Sequence, residues 1–172
     1  MPIRSLLPSD RDAVVEILDP KAGNKTDKKP DNKTDNPFRP EEVACAIELL
    51  DAVLDPPEGG TYEARVLVDA AGDRPQAYAC FGKTPMTDAT YDLYWLVTSA
   101  AQRGRGLGQT LLAAVERELA GRQARNLRVE TSSLEGQGGA VRFYQKVGYR
   151  EVGRIADFYR PGDDLITLLK RL

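Results

Sequence analysis

Residues 96–112 read Leu96-Val97-Thr98-Ser99-Ala100-Ala101-Gln102-Arg103-Gly104-Arg105-Gly106-Leu107-Gly108-Gln109-Thr110-Leu111-Leu112. A β-rich run leads in, glycines and arginines alternate, and an amphipathic run leads out. Glycine lets the backbone adopt angles other residues resist, and lets it approach a ligand closely. A helix starting at Gly108 contributes unpaired N–H groups and partial positive charge. Arg103 and Arg105 add full charges. Together these features describe a pyrophosphate cradle, with a glycine-rich turn carrying two solvated arginines as the plain alternative. Two other nucleotide motifs fail on spacing. A GxGxxG fingerprint starting at Gly104 needs glycine at 109, where Gln109 stands, and no GK[ST] follows the cluster.

The flanking sequence predicts the elements around this loop. Upstream, Tyr62–Val68, Gln76–Phe81 and Thr90–Thr98 are β-rich runs separated by turn residues. Downstream, Leu111, Leu112, Val115 and Leu119 pattern a helix over 108–120, and Asn126–Thr131 is a strand with Leu127 and Val129 on one face. A helix over 138–146 follows, aligned through Val141 and Tyr144. Val152–Asp157 and Leu165–Leu169 close the chain as a hairpin around Pro161-Gly162. The N-terminal part reads as a short strand from Ile3 to Leu7, then a helix capped by Ser9 and stopped by Pro20. A second helix has Pro40 in its first turn and an apolar repeat at Val43, Ile47, Leu50 and Leu54. The order is a short strand, then ααβββαβαββ, which implies a mixed sheet flanked by helices.

Composition removes whole classes of chemistry. The 172 residues include no histidine, so Ser-His-Asp triads, Cys-His dyads and His-dependent zinc sites are excluded. The two cysteines, Cys45 and Cys80, form no CxxC pair, and Cys80 sits in an apolar run that reads as core. Two thiols without a framework point to a reducing, cytoplasmic setting. A net charge of −2 disfavours nucleic acid as a partner, although Arg103, Arg105, Arg117, Arg122 and Arg125 are present. No stretch approaches a membrane span, and no secretion signal is evident. Residues 19–37 hold five Lys, four Asp and three Pro with no large apolar side chain, so they read as a mobile surface loop. From Glu41 to Glu63 there are seven carboxylates and no Lys or Arg. That run is either a solvated face or an acidic rim that attracts a cationic acceptor.

Arg103, Gly106 and Gly108 satisfy an R-x-x-G-x-G signature, and AVRFYQKVGYREVG at 140–153 follows in order. On these two segments the chain resembles the GNAT superfamily of acyl-CoA-dependent N-acetyltransferases, over about residues 1–18 and 38–172. The resemblance implies a single α/β domain over 1–172, with a mixed, mostly antiparallel sheet splayed between strands 4 and 5. It implies acetyl-CoA as acetyl donor, held by the backbone of Leu96, Val97 and Thr98 and by Arg103, Gly104, Arg105, Gly106, Leu107, Gly108 and Gln109. Gln137 joins this set, at the position where ribosomal-protein acetyltransferases of the superfamily carry asparagine. Tyr144 matches the tyrosine that protonates the leaving thiolate, a role suited to a phenol that stays protonated at neutral pH.

With no histidine to accept a proton, Asp92 is the preferred base, resembling the strand-four glutamate of histone-type members. Glu130 is the second candidate. Tyr94, Phe158 and Tyr159 are candidates to line the acceptor pocket, and Phe158 and Tyr159 read equally well as hairpin packing. The expected activity is direct acetyl transfer to the amine of a small molecule or amino-acid-like acceptor. Protein N-terminal or lysine acetylation and a non-catalytic CoA-sensing role are the alternatives, and homodimerisation stays open. No metal is expected.

Overall fold

The computed structural model describes residues 1–20, 38–70, 74–134 and 139–172. Most of the expected loop at 19–37, and Gln137, lie outside the described residues. Among the described residues the strands are β1 (Ile3–Ser5), β2 (Tyr62–Val68), β3 (Pro75–Lys83), β4 (Thr90–Thr98), β5 (Asn126–Ser132), β6 (Arg150–Arg160) and β7 (Asp163–Arg171). The α-helices among them are α1 (Arg11–Leu18), α2 (Pro40–Leu54), α3 (Leu107–Gly121) and α4 (Ala140–Lys146). The strands are hydrogen-bonded in the order β1-β2-β3-β4-β5-β7-β6, with β4 parallel to β5. The α/β class and the mixed sheet expected from sequence are therefore present. The chain forms two compact units, and β3, β4 and α3 each contribute residues to both.

The first unit comprises Met1–Cys80 and Trp95–Leu111. Its core gathers Val14, Ile17 and Leu18 of α1, Ala46 and Leu50 of α2, Ala64, Val66 and Val68 of β2, Tyr78 and Cys80 of β3, and Val97 of β4. The alternation along β2 and β3 and the helical spacing along α1 and α2 aim these side chains inward, each large one worth about 1.5–3 kcal/mol when buried. Cys80 is fully buried, and burial pushes its thiol up to about 12, so it is core rather than nucleophile.

The start of α1 differs from expectation. Ser9 makes no capping bond, because Pro8–Asp10 form a 3₁₀ turn ahead of the helix. The Asp10 side chain closes that turn rather than capping α1, accepting from the Leu7 amide at 2.8 Å and from Arg4 at 2.6 and 3.0 Å. At α2 the expectation holds, with Pro40 in the first turn and Glu42 accepting from the Arg39 amide at 2.7 Å.

The second unit comprises Phe81–Tyr94 and Leu112–Leu172. Leu112, Val115 and Leu119 of α3, Leu127 and Val129 of β5, and Ile166 and Leu168 of β7 are buried. The parallel ladder joins Thr90–Leu93 to Asn126–Val129 and extends no further, although β5 continues to Ser132. β6 is longer than expected and irregular. Ile155 pairs with Leu165 and Arg160 with Asp163, so the stretch between them bulges out of the ladder, with Asp157 at φ +52°.

Candidate active site

In the first unit, the loop after β4 is a backbone device. A short 3₁₀ turn, Ala100–Gln102, precedes Gly104 at φ +76° and Gly106 at φ +78°. An added Cβ at either glycine would meet nothing within 4 Å, so conformation rather than crowding requires glycine there. α3 then starts, its first i→i−4 bond running from the Thr110 amide to the Gly106 carbonyl at 2.9 Å. The preceding amides, Leu107 to Gln109, have no helical partner by construction and carry the positive end of a 15-residue helix. Arg103 and Arg105 are exposed, and Arg105 donates to Gln102 at 3.0 Å.

Just upstream, Val97 is buried while Leu96 and Thr98 are half-buried. The Ser99 amide bonds the Gln76 carbonyl at 2.9 Å, yet the Ser99 hydroxyl is buried with no hydrogen-bond partner among the described residues. An orphaned hydroxyl on the strand side and amides without a helical partner at the start of α3 are donors that suit an anionic, amide-bearing ligand such as CoA.

The second unit carries the titratable groups. Tyr144 on α4 is 7% exposed and lies edge-on to Phe143 and Tyr149, with ring centroids 5.1 and 5.3 Å away. Burial drives its phenol well above the ordinary value, so it keeps its proton at neutral pH. Its hydroxyl makes no hydrogen bond to any described residue, so that proton is uncommitted among them. Behind it, Tyr149 donates to Glu116 at 3.0 Å, and Lys170 donates to the same carboxylate at 2.7 Å and to the Val147 carbonyl at 2.9 Å.

Asp92 and Glu130 share one sheet face through Arg128. In the parallel register Asp92 partners Arg128, and alternation puts Glu130 and Tyr94 on the same side. Asp92 is 7% exposed, and its two oxygens accept from Arg128 Nε at 2.5 Å and Thr84 Oγ1 at 2.8 Å. Glu130 is exposed and lies 3.5 Å from Arg128 Nη1. Of the two expected bases, one is therefore fastened and the other open to solvent. Tyr94 sits at the edge of exposure, at 36%.

Phe158 and Tyr159 ride the β6 bulge as an edge-on pair 5.0 Å apart, and Phe158 is 54% exposed. The bulge is fastened at its base. The Asp157 amide donates to Asp164 at 3.0 Å, Arg154 to Asp164 at 2.8 Å, and the Gly162 amide to Asp157 at 2.6 Å. Ser132 donates to the buried Asp163, and the Asp164 amide donates to Ser133 Oγ at 2.9 Å. Phe158 is thus displayed rather than packed into the hairpin.

The carboxylate-rich segment is less free than its sequence suggests. Asp51 is gripped by Arg11 at 2.7 Å, Glu42 caps its own helix, and Glu63 pairs with Arg65 at 3.3 Å. Sequence reasoning passed over Arg128, Thr84 and the Ser132–Ser133 latch. The Arg128-x-Glu130 spacing on a strand was the available signal for the first of these. Among the described residues no metal-ligating cluster occurs, and no helix is long and apolar enough to cross a membrane.

The family described as "Acetyltransferase (GNAT) domain" matches residues 63–151, just over half of the chain. A Desulfovibrio desulfuricans protein described as an acetyltransferase of the GNAT family is 30% identical, with TM-score 0.82 over 99% of this chain and 98% of that one. An aminoglycoside 6'-N-acetyltransferase complexed with coenzyme A is 17% identical, with TM-score 0.71 over 99% and 97%. The Escherichia coli ribosomal-protein-S18-alanine N-acetyltransferase is also 17% identical, with TM-score 0.68 over 99% and 92%. At the two lower identities the likeness speaks for the fold alone. No protein of curated function matches the sequence.

Proposed function

The chain belongs to the GNAT family of acetyltransferases, and on that premise we propose that it moves acetyl from acetyl-CoA directly to the primary amine of a small molecule. The observation that carries this reading is the Gly104–Gly106 turn feeding the unpaired amides of α3. Acetyl-CoA supplies an activated acetyl thioester when bound. The amides of Arg103 to Gly108 and Gln109 hold its pyrophosphate, with the guanidinium groups of Arg103 and Arg105 adding charge. The backbone of Leu96, Val97 and Thr98 and the Ser99 hydroxyl bond the amide-bearing arm, and an amide near Val97 or Thr98 polarises the reacting carbonyl.

Tyr144 donates its phenolic proton to the departing sulfur. Its apolar surroundings keep the donor loaded beforehand. An ammonium must lose a proton before it can attack, and Glu130 takes it, directly or through water. Asp92 serves instead to fix Arg128, since its oxygens are already engaged. Tyr94 and Phe158, with the half-buried Tyr159, supply aromatic surface for the acceptor.

Calorimetric titration with acetyl-CoA, followed by thiol release with a panel of amines, tests this reading. Binding together with amine-dependent release and no acetylated enzyme by mass spectrometry is the expected result. Binding without release would favour a CoA-sensing role, and an acetyl-enzyme would replace direct attack by a two-step route.

A further inference from the structure

Arg128 uses few of its five donors. Its Nε bonds one oxygen of Asp92, while the other oxygen goes to Thr84 rather than completing a two-pronged pair with the guanidinium. The Nη edge is left toward the half-exposed side, where Glu130 stands at 3.5 Å, an ion-pair distance longer than an ordinary hydrogen bond. Arg128 is thus oriented from behind by a buried carboxylate, while its outer fork meets only the long ion pair to Glu130 among the described residues. A planar fork held in this way is the arrangement that grips a carboxylate with two parallel bonds. The surface beside Glu130 is low. Its partner on β7 is Thr167, whose own neighbour on β6 is Gly153, which has no side chain to cover it.

Resting on the acetyltransferase reading, we propose that Arg128 and Glu130 together select an α-amino acid, or a close amino-carboxylate, as the acceptor. The acceptor carboxylate docks on the Nη edge of Arg128, and its amine, one carbon away, lies against Glu130. The pairing also serves the chemistry. A fixed guanidinium near the ammonium favours loss of its proton, and Glu130 is the adjacent group that takes it. Diamines and polyamines gain nothing from the fork and are repelled by it.

The test is thiol release from acetyl-CoA with matched pairs of acceptors, each amino acid set beside its carboxamide. Amino acids are expected to exceed their carboxamides in kcat/KM by about 10- to 100-fold, the range for a hydrogen bond to a charged group. Arg128→Gln should abolish that preference by raising KM for the amino acid, while KM for the carboxamide stays within about twofold. Arg128→Lys should restore the preference in part, because a lysine keeps the charge but not the fork. Removing the guanidinium alone leaves the Asp92 carboxylate buried and unpaired, so the Asp92→Asn/Arg128→Gln double variant repeats the measurement with a neutral pair. Equal rates for acids and amides, a preference for diamines, or no reaction with any amino acid would overturn the proposal while the enzyme still binds acetyl-CoA. Failure of the unmodified protein to bind acetyl-CoA would instead overturn the acetyltransferase reading, and this inference with it.

Discussion

In the proposed mechanism, the loop at 103–108 and the sheet face at Asp92, Arg128 and Glu130 solve two recognition problems by opposite means. There the loop works through backbone amides, and its side chains matter mainly by being absent at Gly104 and Gly106, both at positive φ. The sheet face works through side chains whose positions depend on strand register and on a buried carboxylate. A backbone site suits a ligand that every member of a family shares, because few side-chain substitutions disturb it. A side-chain site suits a ligand that differs between members, since one substitution re-specifies it. On that reading, acceptor specificity lies on the sheet face rather than in the loop.

The sharpest test of the division is Tyr144→Phe. It removes a donor and no recorded hydrogen bond, so kcat should fall by about 10²- to 10⁴-fold, the usual contribution of a positioned acid. Acetyl-CoA affinity should be unchanged by calorimetry. A parallel fall in both would assign Tyr144 to binding. Burial raises its pKa, and an acid works in its protonated form, so any alkaline loss of rate due to Tyr144 should appear only above the ordinary phenol value of about 10. A pH profile of kcat that falls below pH 9 in the wild type and not in the variant would contradict this.

Glu130→Gln and Asp92→Asn separate the open carboxylate from the fastened one. Glu130→Gln should cut kcat by about 10²-fold or more and shift stability by less than about 0.5 kcal/mol, as for an exposed residue. Asp92→Asn should show itself first in thermal unfolding, losing about 1–3 kcal/mol for a weakened charged hydrogen bond. Swapped outcomes would make Asp92 the base. The smallest effect is expected at the latch, where Ser133→Ala removes one bond to the Asp164 amide. A rise of about two- to fivefold in acceptor KM, at unchanged acetyl-CoA affinity, corresponds to the loss of about 0.5–1 kcal/mol for one neutral hydrogen bond.

The same contrast explains what could be read in the sequence. Glycines required at positive φ, an arginine at fixed offset and a helix start are local features, so the loop was legible residue by residue. So was the element order, because apolar spacing at Val115 and Leu119 or at Leu127 and Val129 follows from helix and strand periods. Asp92 and Glu130 were visible as strand carboxylates, but their unlike states were not. Those depend on Arg128 and Thr84, which reach Asp92 from other parts of the chain, 36 and 8 residues away. Ser9 does not cap α1 because Pro8 begins a 3₁₀ turn that puts Ser9 inside it, one residue short of the helix. The β6 bulge escaped notice because its anchors, Ser132 and Ser133, lie 31 residues from Asp163 and Asp164.

In the proposed mechanism a glycine-shaped backbone loop, and not its arginine side chains alone, holds the acetyl donor. Calorimetric titration of acetyl-CoA into the wild type and Gly106→Val tests it most directly. A β-branched residue at φ +78° is strained by about 1–3 kcal/mol, so affinity should drop by about 10- to 100-fold while far-ultraviolet circular dichroism is unchanged. Equal affinity in a folded variant would contradict the account and leave the loop as no more than a turn.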